Sequence, residues 1–216
     1  METVAHLLGE KFGTLRQQFH LGAFGRLGEQ EGKTRLFGLT DVALLKLAYA
    51  LRDRDPLTIK RAWAVAGGFL EPLVAEIGAG THQRQLFAVV PHDGPTEPFQ
   101  VPAEDLSEAI VETLKTTTSI TVVSLTELAE EIAVEWAIAV GAGDDLRRRF
   151  VERADQMSEF ERGRMAKLLS SAQAKLAGGT KVRVDPTAVT SNGTFVLPGT
   201  PDPAPAPNQK PAKVRA

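Results

Sequence analysis

The hydrophobic period of this 216-residue chain changes twice along its length. Before about residue 80, apolar residues recur at three- and four-residue steps, the spacing that gathers them on one face of a helix. Between 85 and 125 the runs become short and strand-like: QLFAVV (85–90), FQV (99–101) and SITVVSL (119–125), the last rich in β-branched residues. Within this stretch only AEDLSEAIVETLK (103–115) keeps a helical period, with Leu106, Ile110 and Leu114 in line. After 125 the helical steps return. The expected fold class is α+β and mainly α, with a small β-β-α-β module set between helical segments.

Punctuation refines this outline. VAHLL (4–8) reads as a short helix ended by Gly9, and Gly13 to Leu21 as a second, with Leu15 and Phe19 on its buried face and Gly22 at its stop. A polar, Gly-rich loop follows from Gly25 to Gly32, and Lys33 to Phe37 is β-compatible. Thr40 is expected to cap a long helix, with Asp41 in its first turn and Val42, Leu44, Leu45, Leu47, Ala48 and Leu51 on its apolar side. Asp55-Pro56 breaks that helix, and further helices are expected over 57–66 and 69–77. TELAEEIAVEWAIAV (126–140) is helical up to Gly141 and Gly143, and residues 144–178 read as one long charged helix. Its stripe of Leu146, Phe150, Met157, Phe160 and Leu168 fits packing on its own domain and a dimer-forming coiled coil equally well. KVRVD and GTFVLP then suggest a strand pair. The Pro- and Ala-rich basic tail of 179–216 is expected to be mostly disordered. Four segments result: 1–66, 67–125, 126–178 and 179–216.

Charge is distributed by segment. Residues 1–66 hold 10 Lys/Arg against 7 Asp/Glu, residues 67–143 hold 2 against 12, and residues 144–216 hold 13 against 8. An acidic middle repels phosphate, so any nucleic-acid contact belongs to the ends. No stretch reaches the roughly 18 apolar residues that cross a bilayer, and the N-terminus carries no secretory pattern, so a cytoplasmic protein is expected.

The chemistry of an enzyme finds little footing. There is no cysteine, which removes disulfides, thiolate metal sites and thiol nucleophiles. His6, His20, His82 and His92 include no i, i+4 pair, and no metal or cofactor site is expected. Gly32-Lys33-Thr34 resembles the end of a phosphate-binding loop, but that loop needs glycine at position 27, where the chain has Leu27. The acid pairs Glu104-Asp105, Glu130-Glu131 and Asp144-Asp145 lie on helices, where neighbouring residues point about 100° apart. No Gly-x-Ser-x-Gly elbow is present. The protein is expected not to be an enzyme.

One constellation remains. A short helix, a turn and a second helix can turn Thr14, Arg16, Gln17, Gln18 and His20 outward, as a helix entering a DNA major groove requires. GKTR would then project Lys33 and Arg35 from a basic hairpin onto the neighbouring backbone. Many two-helix hairpins bind nothing, so a purely structural role fits the same residues.

TLRQQFHLGAF (14–24) resembles the TLRYYERLGLI-type stretch of the MerR-type winged helix-turn-helix family, and GKTRLFGLTDVALLKLAYAL (32–51) resembles that family's wing and following helix. Thr14-Leu15-Arg16, Gly22, Arg35-Leu36-Phe37, Asp41 and Leu45 carry the likeness, which spans about residues 3–66. It implies a winged helix that binds operator DNA as a dimer. Arg16 would contact the DNA backbone from the recognition helix, Arg35 would belong to the wing, and Leu36-Phe37 would anchor the wing. Gln17 and Gln18 stand where the family has paired aromatics; a glutamine amide can pair with adenine N6/N7. Without cysteine, the thiolate metal sensing of part of that family cannot operate.

The resulting expectation is a sequence-specific transcriptional regulator: residues 1–66 bind double-stranded DNA, 81–125 take a small effector or partner, and 126–178 form a homodimer. A DNA-binding adaptor of a phage packaging or recombination assembly, and a scaffold that never touches DNA, are the alternatives.

Overall fold

The computed structural model describes residues 1–25, 27–31, 34–53, 58–79 and 84–177. Lys33, His82, the Asp55-Pro56 break and the expected tail and strand pair beyond 178 lie outside the described residues.

Two short helices open the chain, α1 (Glu2–Leu7) and α2 (Phe12–His20). Val4, Ala5 and Leu7 bury α1, whereas Leu15 is the only buried residue of α2. Gly22 ends this pair with a φ of 69°, a left-handed conformation open to glycine at little cost. A hairpin is present, β1 (Glu29–Glu31) paired antiparallel with β2 (Thr34–Leu36), but its first strand is acidic and lies within the stretch expected to be loop, because residues 29–31 pair in register with 34–36. Thr34 starts a strand and no helix follows until residue 39, an order incompatible with a phosphate-binding loop. Gly28 at the base of the hairpin has a φ of 71°, and a Cβ there would lie 2.5 Å from the Leu36 carbonyl oxygen.

The central helix is α3 (Leu39–Asp53). It starts one residue before the expected Thr40 cap. The reason is local: the Asp41 carboxylate accepts the Gly38 amide at 2.9 Å, the back-bond of a capping box set at Gly38 instead of Thr40. Val42, Ala43, Leu45, Leu47, Ala48, Tyr49 and Leu51 are all buried, so α3 is covered around most of its circumference. α4 (Ile59–Gly67), capped by Thr58, and α5 (Leu70–Ala79) pack against it.

The β-β-α-β expectation agrees with the structure: β3 (Leu86–Pro91), β4 (Phe99–Pro102), α6 (Leu106–Thr113) and β5 (Ile120–Ser124) follow in that order. The sheet is antiparallel with order β4-β3-β5. Ala88 pairs with Gln100 on one side and Val123 on the other. Ala88 and Val90 belong to the main core, which they share with Leu47 and Leu51 of α3, Leu73 of α5 and Ile132 of α7 (Leu125–Ala139). Residues of three of the segments read from the sequence therefore build one apolar cluster. A second cluster joins α1, α2 and α3, and a third joins α7 to the C-terminal helices.

The expected single helix over 144–178 is two helices, α8 (Gly143–Arg153) and α9 (Glu159–Ala177), joined by a 3-10 turn at Ala154–Gln156. Ser158 and Glu161 account for the break. The Ser158 hydroxyl accepts the Glu161 amide at 3.3 Å and the Glu161 carboxylate accepts the Ser158 amide at 2.8 Å, a complete capping box. α9 then returns along α7 and reaches α1.

Candidate nucleic-acid interface

Helix α2 is held by three contacts, and these decide which of its residues face water. Leu15 is fully buried. Gln18 turns inward and its side-chain oxygen accepts a hydrogen bond from the Tyr49 hydroxyl of α3. Phe19 packs against Phe24 and Phe37, with ring centroids 5.0 and 5.7 Å away. Helical geometry then puts Arg16, Gln17 and His20 on the opposite side, where all three are exposed. Thr14 is half-buried at the edge of this face. α2 carries no acidic residue, and no side chain caps its N-terminus.

The hairpin meets α2 through one ring. The Arg35 guanidinium lies 5.0 Å from the centroid of Phe19, a cation–π contact that holds it beside α2. Arg16, Gln17 and His20 thus share the outward face of α2, and Arg35 rests on the Phe19 ring of the same helix. Gln18, expected among the outward residues, instead ties α2 to α3. Glu29 is exposed on the hairpin, an acid beside the proposed phosphate contacts.

A further set of contacts supports this arrangement from below. Arg52 lies 4.2 Å over the Tyr49 ring and bonds Glu10, in the turn between α1 and α2, at 2.7 Å. Burial is the main cause that pushes the Tyr49 phenol up to about 12, with the Glu10 charge adding to it. Glu10, Arg52, Tyr49 and Gln18 therefore link the α1–α2 turn to the end of α3.

A second charged group was missed by the sequence reading. Lys46 of α3 meets Glu131 and Glu135 of α7, and Lys175 of α9 meets the same two carboxylates. Lys46 and Glu135 are buried, with side-chain exposures of 6% and 3%. Glu135 Oε2 accepts no well-formed hydrogen bond and is compensated by the Lys46 charge. Burial works against the Glu131 carboxylate, but Lys46 and Lys175 overcome it and hold its pKa down at about 2. At the deeper Glu135, burial prevails and its pKa is raised. Burial also opposes the Lys175 ammonium, but its bonds to Glu131 and Glu135 outweigh that and raise its pKa. The sequence signal was present: Lys46 interrupts LLKLAY and Glu135 interrupts IAVEWAIAV, each a charge inside an apolar helix.

Among the described residues, no three His, Asp or Glu side chains converge as a metal site, and no helix is long and apolar enough to cross a membrane. No protein-family model, no curated protein and no solved structure matches the chain.

Proposed function

We propose that the protein is a sequence-specific DNA-binding transcriptional regulator of MerR-like winged helix-turn-helix type, acting on operator DNA as a dimer in the cytoplasm. In this reading α1 and α2 form the helix-turn-helix, the β1–β2 hairpin is the wing and α3 supports both. The observation that carries it is the outward face of α2, where Arg16, Gln17 and His20 stand exposed on an acid-free helix with Arg35 held alongside by Phe19. A helix with that face enters a major groove, with arginine on phosphate and a glutamine amide on a base edge. The uncapped N-terminal amides of α2 favour phosphate for the same electrostatic reason. Residues 81–125 would receive the effector or partner.

The test is selection of bound sequences from random oligonucleotides, followed by affinity measurements at several salt concentrations. Arg16→Ala should weaken binding to all sequences and lower the salt slope by about 1. Gln17→Ala should change the preferred sequence. Equal affinity of the Arg16→Ala variant and the parent at each salt concentration would sink the groove assignment.

A further inference from the structure

A cleft of about 370 Å³ lies between α4 and the loop that joins β3 to β4. Small-molecule sites run from roughly 300 to 1,000 Å³, so its size suits a small ligand. Arg61, Val65 and Gly68 follow at four- and three-residue steps along one face of α4 and its C-cap, and all three line the cleft. Glu97 and Pro98 line it from the loop, and Phe69, buried in the main core, adds an aromatic surface.

The two charges in this lining are opposite, and they do not meet. The Arg61 guanidinium makes one hydrogen bond, from Nη2 to the His92 carbonyl oxygen at 2.9 Å, which ties it to the loop and leaves its other N–H groups to donate. Glu97 is the only acid in the lining, and its carboxylate has neither a hydrogen bond nor an ion-pair partner among the described residues. Gly68 leaves room beside them. Its φ of −70° is right-handed helical, open to any residue, and a Cβ there would meet only the Val65 carbonyl oxygen at an ordinary 3.5 Å. The backbone therefore does not require glycine, and a larger side chain is free to fill the cleft that the glycine lines.

We propose that this cleft binds a small zwitterion, an α-amino acid with an apolar side chain. Arg61 takes its carboxylate, Glu97 takes its ammonium, and Val65, Phe69 and Pro98 cover its side chain. A ligand with one charge leaves Arg61 or Glu97 unmatched, and a ligand without apolar surface leaves the rest of the lining uncovered. The site specifies the effector expected at residues 81–125, so any effect on DNA rests on that reading, whereas binding itself does not.

Isothermal titration calorimetry of the full chain without DNA keeps the two apart. At least one of L-leucine, L-methionine and L-phenylalanine should bind at a single site. The amide of that amino acid, which lacks the carboxylate, and its N-acetyl derivative, which lacks the ammonium, should each bind about tenfold more weakly or worse. Arg61→Gln should weaken the amino acid about tenfold or more without changing the affinity for the amide, and Glu97→Gln should do the same without changing that for the N-acetyl derivative. Gly68→Leu should abolish binding without lowering the melting temperature. No binding of any of the three amino acids, derivatives that bind as tightly as their parents, or an affinity indifferent to all three substitutions would each overturn the proposal.

Discussion

Lys46 and Glu135 face each other across the junction of α3 and α7, two buried opposite charges in helices that are covered over most of their surface. Removing Lys46 leaves the buried Glu135 with Lys175 on Oε1 alone and takes the counter-charge from Oε2, and that is more costly than removing both residues. Lys46→Met should lower the unfolding free energy by about 3–5 kcal/mol in chemical denaturation. Lys46→Met/Glu135→Met should recover most of that loss, because Glu131 and Lys175 remain paired. A double variant as unstable as the single would show that the pair is not the reason for the loss.

The same group predicts a pH dependence. Glu131 has a folded pKa of about 2 against an ordinary 4.5, so between these values the unfolded chain binds more protons. Its stabilising contribution is complete above 4.5 and is lost as pH falls towards 2. Glu135 has the opposite sign: its raised pKa makes its ionised form a cost at neutral pH that acid relieves. Urea titrations at pH 6 and about pH 3 should therefore differ less for Glu131→Gln than for the parent. An unchanged difference would remove Glu131 from the account.

Tyr49 offers a direct optical test, because it is the only tyrosine in the chain. Its phenol should ionise near pH 12 rather than 10, as followed by ultraviolet absorbance. Between those values the folded chain holds the proton that the unfolded chain releases, so this contribution to stability falls as pH rises from 10 to 12. Tyr49→Phe should cost about 1 kcal/mol by leaving the half-buried Gln18 oxygen without its donor. Gln18→Ala should bring the phenol pKa no closer to 10, since burial is the leading cause and the Gln18 bond lowers the value.

Two glycines separate backbone strain from steric clash. Gly22 and Gly28 have nearly the same positive φ, but only Gly28 has a carbonyl where a Cβ would go. Gly22→Ala should cost about 1 kcal/mol for the left-handed conformation alone. Gly28→Ala should cost more, about 2–3 kcal/mol, and should loosen the hairpin from Phe37. Thermal melts of the two variants compare them, and equal losses would contradict the clash at Leu36.

Local signals in the sequence account for most element boundaries. The period change at 85 and 125 and the helix stop at Gly22 act within a few residues, so they can be read without the fold. The break at 154–158 is equally local: Ser158-Glu159-Phe160-Glu161 has a capping-box spacing, which outweighs the apolar stripe that runs on through it. The candidate interface was legible only in part. Leu15 and Phe19 correctly divided α2 into inner and outer faces, but a 3.6-residue period cannot say that Gln18 bonds Tyr49, because that depends on where α3 lies.

By itself, then, the sequence determined the kinds and order of the elements, the acid-free outer face of α2 and the hairpin that follows it. These depend on backbone preferences, caps and spacings that operate over one or two turns. Only the tertiary structure decided that Lys46, Glu131, Glu135 and Lys175 form one group, that Arg35 rests on Phe19, and that segments of different charge share a core. Those outcomes depend on which helices cross, and a buried charge is tolerated only where the packing of distant elements delivers its partner.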